Sequence, residues 1–401
     1  MTWIEDPEFA PDRPFGPQTL PYGVLGTAKG PTVAVRVGKH AVPLRGVADE
    51  LGPRVGELVS GDSLDPLLAA GPAAWRELRE RLLELVGADS RPKGAELIRT
   101  DWHTQLMPFT VADFADFYSS RHHAENVGKI FRREAEPLLP NWTHLPVGYH
   151  GRSGTVVVSG TDVARPNGQR RVSGDPTPVF GPTRRLDFEA EVGFVCGGEP
   201  ATSIETEDFA EHVLGAVLVN DWSARDIQSW EYQPLGPFLA KSFATSMSGW
   251  ITPLAALEQA RVPTTGYDHQ LLDYLVEDRP WGLDLRLEVR CNDTLLSRPP
   301  FAEMYWSPAQ QLAHLTVNGS TVRPGDLFAS GTVSGPEPDQ RGCLLELSWG
   351  GSDPVTLEDG EQRTFLQDGD RVTISATAPG EHGRPVGLGD VSGTVLPAVR
   401  R

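Results

Sequence analysis

Glycine and proline interrupt this chain at short intervals, and their spacing constrains the fold more than any other feature. The whole chain has 42 glycines and 35 prolines. After about residue 110, these residues separate the sequence into short β-type runs. These runs are "GTVVVSG", "LDFEAEVGFV", "VLGAVLVN", "LDLRLEVRCN", "RVTISATA" and "VSGTVLP". Short strands separated by turn residues are typical of antiparallel sheets, whereas a βαβ fold alternates strands with helices. The sequence therefore predicts a mainly β fold with long, structured loops.

The first quarter of the chain has a different texture. "PTVAVRVG" is a strand candidate, and "AAWRELRERLLELVG" repeats its apolar residues at helical spacing with arginine and glutamate on the other face. A chain of 401 residues exceeds what one hydrophobic core usually organises. We therefore predict two domains, a small one over residues 1–110 with one helix and a larger one over residues 111–401.

Composition narrows the classes of partner and compartment. The chain carries 54 acidic and 36 basic side chains, a formal net charge of −18. Such a charge repels nucleic acid and anionic membranes, so neither is an expected partner. The three cysteines have no paired spacing, the acidic N-terminus is unlike a signal peptide, and no apolar run reaches the roughly 18 residues of a membrane span. We expect a soluble, cytoplasmic protein.

Common catalytic signatures are missing from the sequence. It contains no G-x-S-x-G, H-E-x-x-H or P-loop motif. "GLGDVSG" at 387–393 has two close glycines, but the third comes one residue late and no helical pattern follows. A dinucleotide site requires a strand, a turn and a helix, so we interpret this stretch as a turn between late strands.

Three carboxylates alternate with apolar residues in "LDFEAEVGF", residues 186–194. Successive side chains of a strand point to opposite faces, so Asp187, Glu189 and Glu191 share one face. Neighbouring like charges repel one another. This face therefore needs solvent, cationic partners or a metal ion.

Three other polar clusters stand out, and none is decisive by itself. Residues 113–133, "DFADFYSSRHHAENVGKIFRR", also fit a solvated helix start capped by Ser119 or Ser120. Residues 220–243, "NDWSARDIQSWEYQPLGPFLAKSF", follow an apolar strand and also fit a structural ion-pair network. "LASGTVSGPEP" precedes "GCLLELSW", which we predict to be a strand; its Glu346 is either exposed at an edge or held by a buried partner.

Together these clusters closely resemble the fumarylacetoacetate hydrolase superfamily. The resemblance rests on "FTVADFADFYSSRHHAENVGKIFR", "NWTHLPVGYHGRSGTVVVSG", "LDFEAEVGF", "NDWSARDIQSWEYQPLGPFLAKSF" and "RPGDLFASGTVSGPEP", which occur in the family's order. It covers nearly the whole chain, including "DRPFGPQTLPYGVLG" near the start. Smaller members, the acylpyruvate hydrolases and oxaloacetate decarboxylases, typically lack such an N-terminal domain.

The resemblance implies both a fold and an activity. The implied fold is mainly β, an SH3-like small barrel followed by a larger β-roll domain, assembled as a homodimer. The implied activity is metal-dependent hydrolysis of a carbon–carbon bond in the small 1,3-diketone 4-fumarylacetoacetate, the last step of tyrosine and phenylalanine catabolism. Two alternatives stay open: a superfamily hydrolase acting on an acylpyruvate or another β-diketone, and a non-catalytic metal-binding assembly protein.

The resemblance also implies a metal site. The residues that match its ligands are Asp116, Glu189, Glu191 and Asp221. Four carboxylates form an all-oxygen site, which suits Mg²⁺ or Ca²⁺ rather than zinc. Lys241 and Thr245 match positions associated with a further magnesium ion. Asp187 is not a ligand by resemblance, and an arginine such as Arg184 or Arg185 is its simplest partner.

The catalytic assignments follow the same motifs. By resemblance, His123 is the general base and Glu346 its partner, while His122 fills a variable position. The positions that match oxyanion-stabilising donors are Arg225, Gln228 and Lys241. Substrate-contacting positions match Tyr118, Arg132, Tyr149, Gln228, Tyr232 and Thr332. One departure is Ala240, where the family pattern has glycine.

Overall fold

The computed structural model describes residues 2–132, 134, 136–171 and 176–399. In the first part of the chain the strands are β1 (Tyr22–Thr27), β2 (Gly30–Val37), β3 (His40–Pro43), β4 (Ile98–Arg99) and β5 (Thr104–Leu106). The helices there are α1 (Ala48–Leu51), α2 (Pro53–Leu58), α3 (Asp65–Ala70) and α4 (Pro72–Gly87). The sequence predicts only the longest of these helices. The other three have 4 to 6 residues, too few to show a helical repeat.

Strands after residue 110 are short, as the glycine and proline spacing predicts. They are β6 (Phe114–Phe117), β7 (Gly148–His150), β8 (Val156–Val158), β9 (Val163–Ala164), β10 (Asn167–Arg170), β11 (Val179–Pro182), β12 (Leu186–Asp187), β13 (Ala190–Cys196), β14 (Val213–Asp221), β15 (Ser223–Ala224), β16 (Thr245–Met247), β17 (Trp250–Pro253), β18 (Arg261–Val262), β19 (Gly282–Leu283), β20 (Arg286–Cys291), β21 (Thr294–Ser297), β22 (Leu327–Ala329), β23 (Val355–Thr356), β24 (Gln362–Arg363), β25 (Arg371–Pro379) and β26 (Pro385–Leu396). The helices are α5 (Arg121–Phe131), α6 (Phe209–His212), α7 (Arg225–Glu231), α8 (Pro308–Thr316) and α9 (Leu344–Leu347). Among the described residues, every helix is too short or too polar to span a bilayer.

One large sheet joins the two parts of the chain. Its strands follow the order β4-β3-β2-β1-β17-β14-β13-β22-β6-β7, and β1 pairs antiparallel with β17. Trp75, Leu78 and Leu82 of α4 pack into a hydrophobic core that also contains Val217 and Val219 of β14. A second sheet, ordered β21-β20-β25-β26-β9, contributes to the other large core. The mainly β prediction is confirmed, while the SH3-like barrel and the boundary at residue 110 stay predictions.

The middle of the large sheet brings distant acidic residues together. β13 pairs antiparallel with β14 on one side, with Glu191 opposite Val219. On its other side β13 pairs with β22, and β22 pairs in parallel with β6, so that Ala329 lies opposite Asp116. The ends of β6, β13 and β14 therefore meet at one place in the sheet.

The prediction of a turn at 387–393 is wrong, because these residues lie inside β26 and pair with β25. The glycines serve close packing instead. A Cβ at Gly389 would lie 2.4 Å from the Ser248 hydroxyl oxygen, and one at Gly393 would lie 2.9 Å from the Trp222 ring. Glycine in a strand often marks such a close approach, so the sequence pattern has two readings.

The prediction of a strand over "GCLLELSW" is also wrong. Its centre is the helical turn α9, with Leu344, Leu345 and Glu346 all buried. Four residues of mixed leucine and glutamate satisfy a helical period as well as an alternating one, so the sequence alone cannot separate them.

The loop after β22 contains a glycine whose replacement tests this packing. Gly331 has φ +78°, and a Cβ there would lie 2.2 Å from the Phe117 carbonyl oxygen. Gly331→Ala should lower the free energy of unfolding by more than the roughly 1–2 kcal/mol of a left-handed L-residue, because the backbone must also shift. Urea unfolding measures the loss.

Gly360→Ala is the matched control for this prediction. Gly360 has a similar φ of +86°, but apart from its chain neighbours no described residue has an atom within 4 Å of a Cβ built there. Equal losses in the two variants would contradict the close approach at Gly331.

Candidate active site

Four buried carboxylates meet where the central strands converge. Asp116 comes from β6, Glu191 from β13 and Asp221 from the end of β14, while Glu189 immediately precedes β13. One oxygen of each lies within 4.8 Å of the others, and none of the four residues is more than 4% exposed. The sequence-predicted ligand set is thus brought together as one cluster.

Three of the four carboxylates have protein partners. The Lys241 ammonium donates to Glu189 and, at 2.8 Å, to Asp221 Oδ2, and the Thr245 hydroxyl donates to Asp221 Oδ1 at 2.9 Å. The Tyr149 hydroxyl lies 2.9 Å from Asp116 Oδ2 and 2.9 Å from Asp221 Oδ2. Burial lowers the pKa of Lys241, but Asp221 and Glu189 raise it by more, so the ammonium stays charged.

Glu191 is the exception. Both of its oxygens are buried and accept no hydrogen bond from any donor group that the structure describes, and the same holds for Asp116 Oδ1; without a cation, only a proton shared between the Glu191 and Asp116 carboxyl groups can join them. Burial and the neighbouring carboxylates raise the pKa values of Glu191 and Asp116 well above the usual range. Buried oxygens without partners in an all-carboxylate cluster fit a hard divalent cation such as Mg²⁺ or Ca²⁺.

Glu189 differs electrostatically from Glu191 although they are two residues apart. Burial raises its pKa, but Lys241, Arg225 and His123 oppose this and lower it to about 2. Glu189 is therefore ionised at neutral pH, and it connects the carboxylate cluster to the cationic side chains around it.

His123 lies beside this cluster. It is buried in the first turn of α5, where the Ser120 hydroxyl caps the helix by accepting from the His123 N–H. Its Nδ1 lies 2.6 Å from Glu346 Oε2, and its Nε2 lies 3.9 Å from Glu189 Oε1. His122 is half-exposed, with Nε2 3.6 Å from Glu303. The capped helix is present, but only one of the two histidines lies near the surface.

Glu346 is fully buried, and several donors surround it. Besides His123, it accepts hydrogen bonds from Asn126 Nδ2 at 2.9 Å, the Ser334 hydroxyl at 2.9 Å and the Cys343 thiol at 3.1 Å. Burial raises the pKa of Glu346, but His123 and these donors lower it to about 2. The glutamate thus has a buried partner and is not at an exposed edge.

The sequence does not predict roles for three of these donors. Asn126 follows His123 by three residues on a helix, so their shared face was available as a signal. Ser334 and Cys343 carry no such signal, because only the tertiary fold brings them to Glu346.

Arg225 links the carboxylates of this region. Its Nε donates to Asp187 at 2.9 Å, and its NH1 donates to Glu189 at 2.8 Å and to Gln228 at 3.1 Å. Burial lowers its pKa, but Glu189 and Asp187 raise it by more. The prediction that Arg184 or Arg185 is the partner of Asp187 is wrong. The predicted strand is interrupted between β12 and β13, and Arg225, from the start of α7, lies between Asp187 and Glu189 and binds both.

Of the predicted substrate positions that the structure describes, Tyr118 contacts the histidine. The Tyr118 ring packs edge-on against His123 at 5.3 Å, and burial raises the pKa of its hydroxyl. Thr332 is buried in the loop after β22, and Tyr232 is half-buried at the end of α7. Arg132 donates to the Pro137 carbonyl, and its buried Nε has no partner among the described residues. No contact connects the side chains of Arg132 and Tyr232 directly to the carboxylate cluster.

Ala240 is accommodated without strain. It is fully buried, and its φ is not in the left-handed region that favours glycine. The departure from the family pattern therefore leaves the backbone before Lys241 free of strain.

Two family models match this chain. One, described as fumarylacetoacetase N-terminal, matches residues 18–108. The other, described as fumarylacetoacetate (FAA) hydrolase C-terminal, matches residues 113–396. Together they account for nearly the whole sequence.

Similar proteins cover the same length. Fumarylacetoacetase of Bos taurus is 43% identical over 417 residues, covering 97% of this chain and 98% of its own. That of Arabidopsis thaliana is 41% identical over 409 residues, covering 96% and 97%. Both relatives are thus similar to this chain across both parts of the fold.

Solved structures share the fold at low identity. A fumarylacetoacetate hydrolase from psychrophilic Exiguobacterium antarcticum matches with a TM-score of 0.56 and 17% identity, covering 94% of this chain and 99% of that one. Maleylpyruvate hydrolase from Sphingobium.sp SYK-6 matches with a TM-score of 0.53 and 14% identity, covering 94% and 100%. These similarities identify the fold type.

Cation binding to the cluster should displace protons. Because the pKa values of Glu191 and Asp116 are raised, protons compete with the cation, and affinity should increase as pH rises. Calorimetry of Mg²⁺ or Ca²⁺ binding in two buffers of different ionisation enthalpy should reveal proton release. Saturation at 100 times Kd should add about 2.7 kcal/mol to the free energy of unfolding.

Glu191→Gln should remove most of this cation-induced stabilisation, because it replaces a ligand oxygen that has no protein partner. Glu303→Gln, an acidic residue outside the cluster, should keep the full response. An unchanged response in Glu191→Gln, or binding without proton release, would show that the cation binds elsewhere.

Proposed function

The chain belongs to the fumarylacetoacetase family, and from that membership we propose that it hydrolyses a carbon–carbon bond of 4-fumarylacetoacetate to give fumarate and acetoacetate. One observation of the structure supports this above all. The carboxylate cluster lies directly beside the paired His123 and Glu346. Glu189, a member of the cluster, has its Oε1 3.9 Å from His123 Nε2. A cation site and a general base side by side are what hydrolysis of a 1,3-diketone requires.

The cluster holds the cation through Asp116, Glu189, Glu191 and Asp221. A bound divalent cation polarises the diketone carbonyl and stabilises the negative charge of the enolate leaving group. Mg²⁺ and Ca²⁺ both fit the oxygen ligands. Lys241 and Thr245 are proposed for a further magnesium ion; because an ammonium has no lone pair, Lys241 could contribute only its backbone carbonyl.

His123 acts as the general base. Its Nδ1 carries the proton that is donated to Glu346 Oε2, which leaves the lone pair on Nε2, facing the carboxylate cluster. Nε2 takes a proton from water as the water oxygen attacks the carbonyl carbon. When the carbon–carbon bond breaks, the same Nε2–H returns the proton to the leaving carbon. Glu346 stabilises the imidazolium between these steps.

Arg225, Lys241 and Gln228 supply the donors for the oxyanion formed by attack. Arg225 NH2 is buried and has no partner among the described residues, and Lys241 uses only two of its three N–H groups on carboxylates. The Gln228 carbonyl already accepts from Arg225, so its amide N–H groups point elsewhere. Preorganised donors of this kind typically contribute about 3–4 kcal/mol each.

The remaining site residues contact substrate in this proposal: Tyr118, Arg132, Tyr149, Tyr232 and Thr332. Arg132 suits a substrate carboxylate, because its planar fork binds two oxygens at once and its Nε is buried without a partner among the described residues. We also propose a cytoplasmic homodimer with an SH3-like N-terminal domain ending near residue 110.

A direct assay separates this function from its alternatives. Ultraviolet absorbance should show fumarylacetoacetate consumption that a chelator abolishes and Mg²⁺ or Ca²⁺ restores. Faster turnover of an acylpyruvate in a substrate panel would point to another superfamily activity. Cation binding without turnover of any β-diketone would indicate a non-catalytic protein.

Replacing the two neighbouring histidines should have opposite outcomes. His123→Ala should lower kcat by about 100-fold or more, the usual scale for loss of a general base. His122→Ala should leave kcat nearly unchanged, because its half-exposed ring contacts only Glu303 among the ionisable side chains that the structure describes. Steady-state kinetics on both variants measure this, and a larger loss in His122→Ala would reverse the assignment.

Glu346→Gln tests the partner of the base. The amide keeps the shape but removes the charge that stabilises the imidazolium, so kcat should fall by about 100-fold or more with little change in KM. Glu277→Gln is the control, since this half-buried carboxylate accepts hydrogen bonds from the Ser307 hydroxyl and the Trp281 N–H, outside the site. A Glu346→Gln enzyme that unfolds at lower temperature but keeps its kcat would contradict the assigned role.

A further inference from the structure

Asp187 is an acidic residue to which neither the metal site nor the general base assigns a role. It is fully buried, and each of its oxygens accepts two hydrogen bonds. Oδ1 accepts from the Leu344 N–H at 2.7 Å and the Phe188 N–H at 2.9 Å. Oδ2 accepts from the Leu345 N–H at 2.9 Å and Arg225 Nε at 2.9 Å. A carboxylate has about four acceptor positions, so Asp187 is fully occupied.

Three of these four donors come from the two sides of the proposed catalytic machinery, and the fourth is the neighbouring Phe188 N–H. Leu344 and Leu345 begin α9, the helical turn that carries Glu346. Arg225 is the buried cation whose NH1 reaches Glu189 at 2.8 Å. Among the side chains that the structure describes, Asp187 therefore hydrogen-bonds directly both to the helical turn that carries Glu346 and to Arg225, the proposed oxyanion donor.

We propose that Asp187 is a positioning residue that sets Glu346 and Arg225 relative to each other; this inference rests on the proposed function. The adjacent backbone reinforces the link. The Ala190 N–H donates to the Gly342 carbonyl at 2.9 Å, and Glu189 forms an isolated bridge with Cys343. The segment that begins at Asp187 thus runs beside the segment that leads into α9.

Without this carboxylate, α9 and Arg225 lose the hydrogen-bond acceptor that they share. The first N–H groups of α9 have no partner inside the helix and would be left unsatisfied in the interior. Among the described residues, Arg225 would retain only Glu189 as an ionic partner. Its guanidinium, then held through NH1 and no longer through Nε, would lose the fixed orientation in which NH2 is free to donate. Misplacement of a catalytic group by about 1 Å can cost about 100-fold in rate.

Asp187→Asn is the decisive variant. The asparagine NH2 group replaces one carboxylate oxygen. In either orientation of the amide, this NH2 group faces two donors and cannot accept their hydrogen bonds. We expect kcat to fall at least about tenfold while KM changes less than about threefold. Cation-induced stabilisation should remain, because Asp187 is not a ligand.

Asp370→Asn is a closely matched control. Asp370 is also buried and also accepts four hydrogen bonds, from Arg363 twice, Asn292 and Gln367, but these residues lie outside the site. Asp370→Asn should lower Tm and leave kcat within about twofold of wild type. Asp187→Asn should lower Tm and kcat together.

Non-additivity supplies a second readout. If Asp187 acts through Glu346, the double variant Asp187→Asn, Glu346→Gln should lose less activity than the product of the single losses.

Should Asp187→Asn fail to fold, Asp187→Glu keeps the charge and all acceptors but is one methylene longer. It should also lower kcat, by displacing Arg225 and α9.

One measurement does not depend on turnover. Proton NMR should show a low-field signal from the His123 Nδ1–H donated to Glu346, which should shift or disappear in Asp187→Asn and persist in Asp370→Asn. A wild-type protein inactive on fumarylacetoacetate would refute the proposed function, and this signal would still test Asp187. Wild-type kcat in Asp187→Asn or Asp187→Glu, additive losses, or an unchanged signal would each overturn the positioning role.

Discussion

The excess of buried carboxylates over buried cations is the constraint on which this structure depends. Lys241 and Arg225 hold Glu189 in its ionised form, yet they leave Glu191 without a neutralising partner among the described residues. Desolvating that many negative charges is costly unless cations or protons balance them. A divalent cation would complete this balance. The acidic face that makes the sequence unusual is therefore the feature that suits the chain to hold one.

Buried carboxylates also determine the electrostatic surroundings of His123. Glu346 stays ionised because donors surround it, although it lies in an apolar interior. Glu189, facing the other ring nitrogen, is also ionised. His123 thus lies between two carboxylates, one bonded at 2.6 Å and one at 3.9 Å. The closer carboxylate fixes the orientation of the ring, and the more distant one leaves Nε2 without a hydrogen bond to a described carboxylate.

Much of the fold and of the candidate site could be predicted from the sequence, because alternation and motifs are local signals. Strands such as β14 and β25 fall on the runs read from the sequence. What escaped prediction depends on tertiary contacts. α9 was too short to show a period, the glycines of β26 pack against large side chains, and the partner of Asp187 lies 38 residues along the chain. Ser334 contacts Glu346 only in the folded protein, so the spacing of the two residues in the sequence could not reveal the contact.

The parallel pairing of β22 with β6 has a consequence for how the protein is made. β22 lies between β6 and β13, so Asp116 has no fixed place beside Glu191 until residues beyond 327 have joined the sheet. During synthesis, all four carboxylates of the cluster therefore leave the ribosome long before the strand that places Asp116 beside Glu191. Such long-range pairing is slow to form. The four carboxylates can therefore come together only after β22 has been synthesised, and until then Asp116 stays apart from the other three.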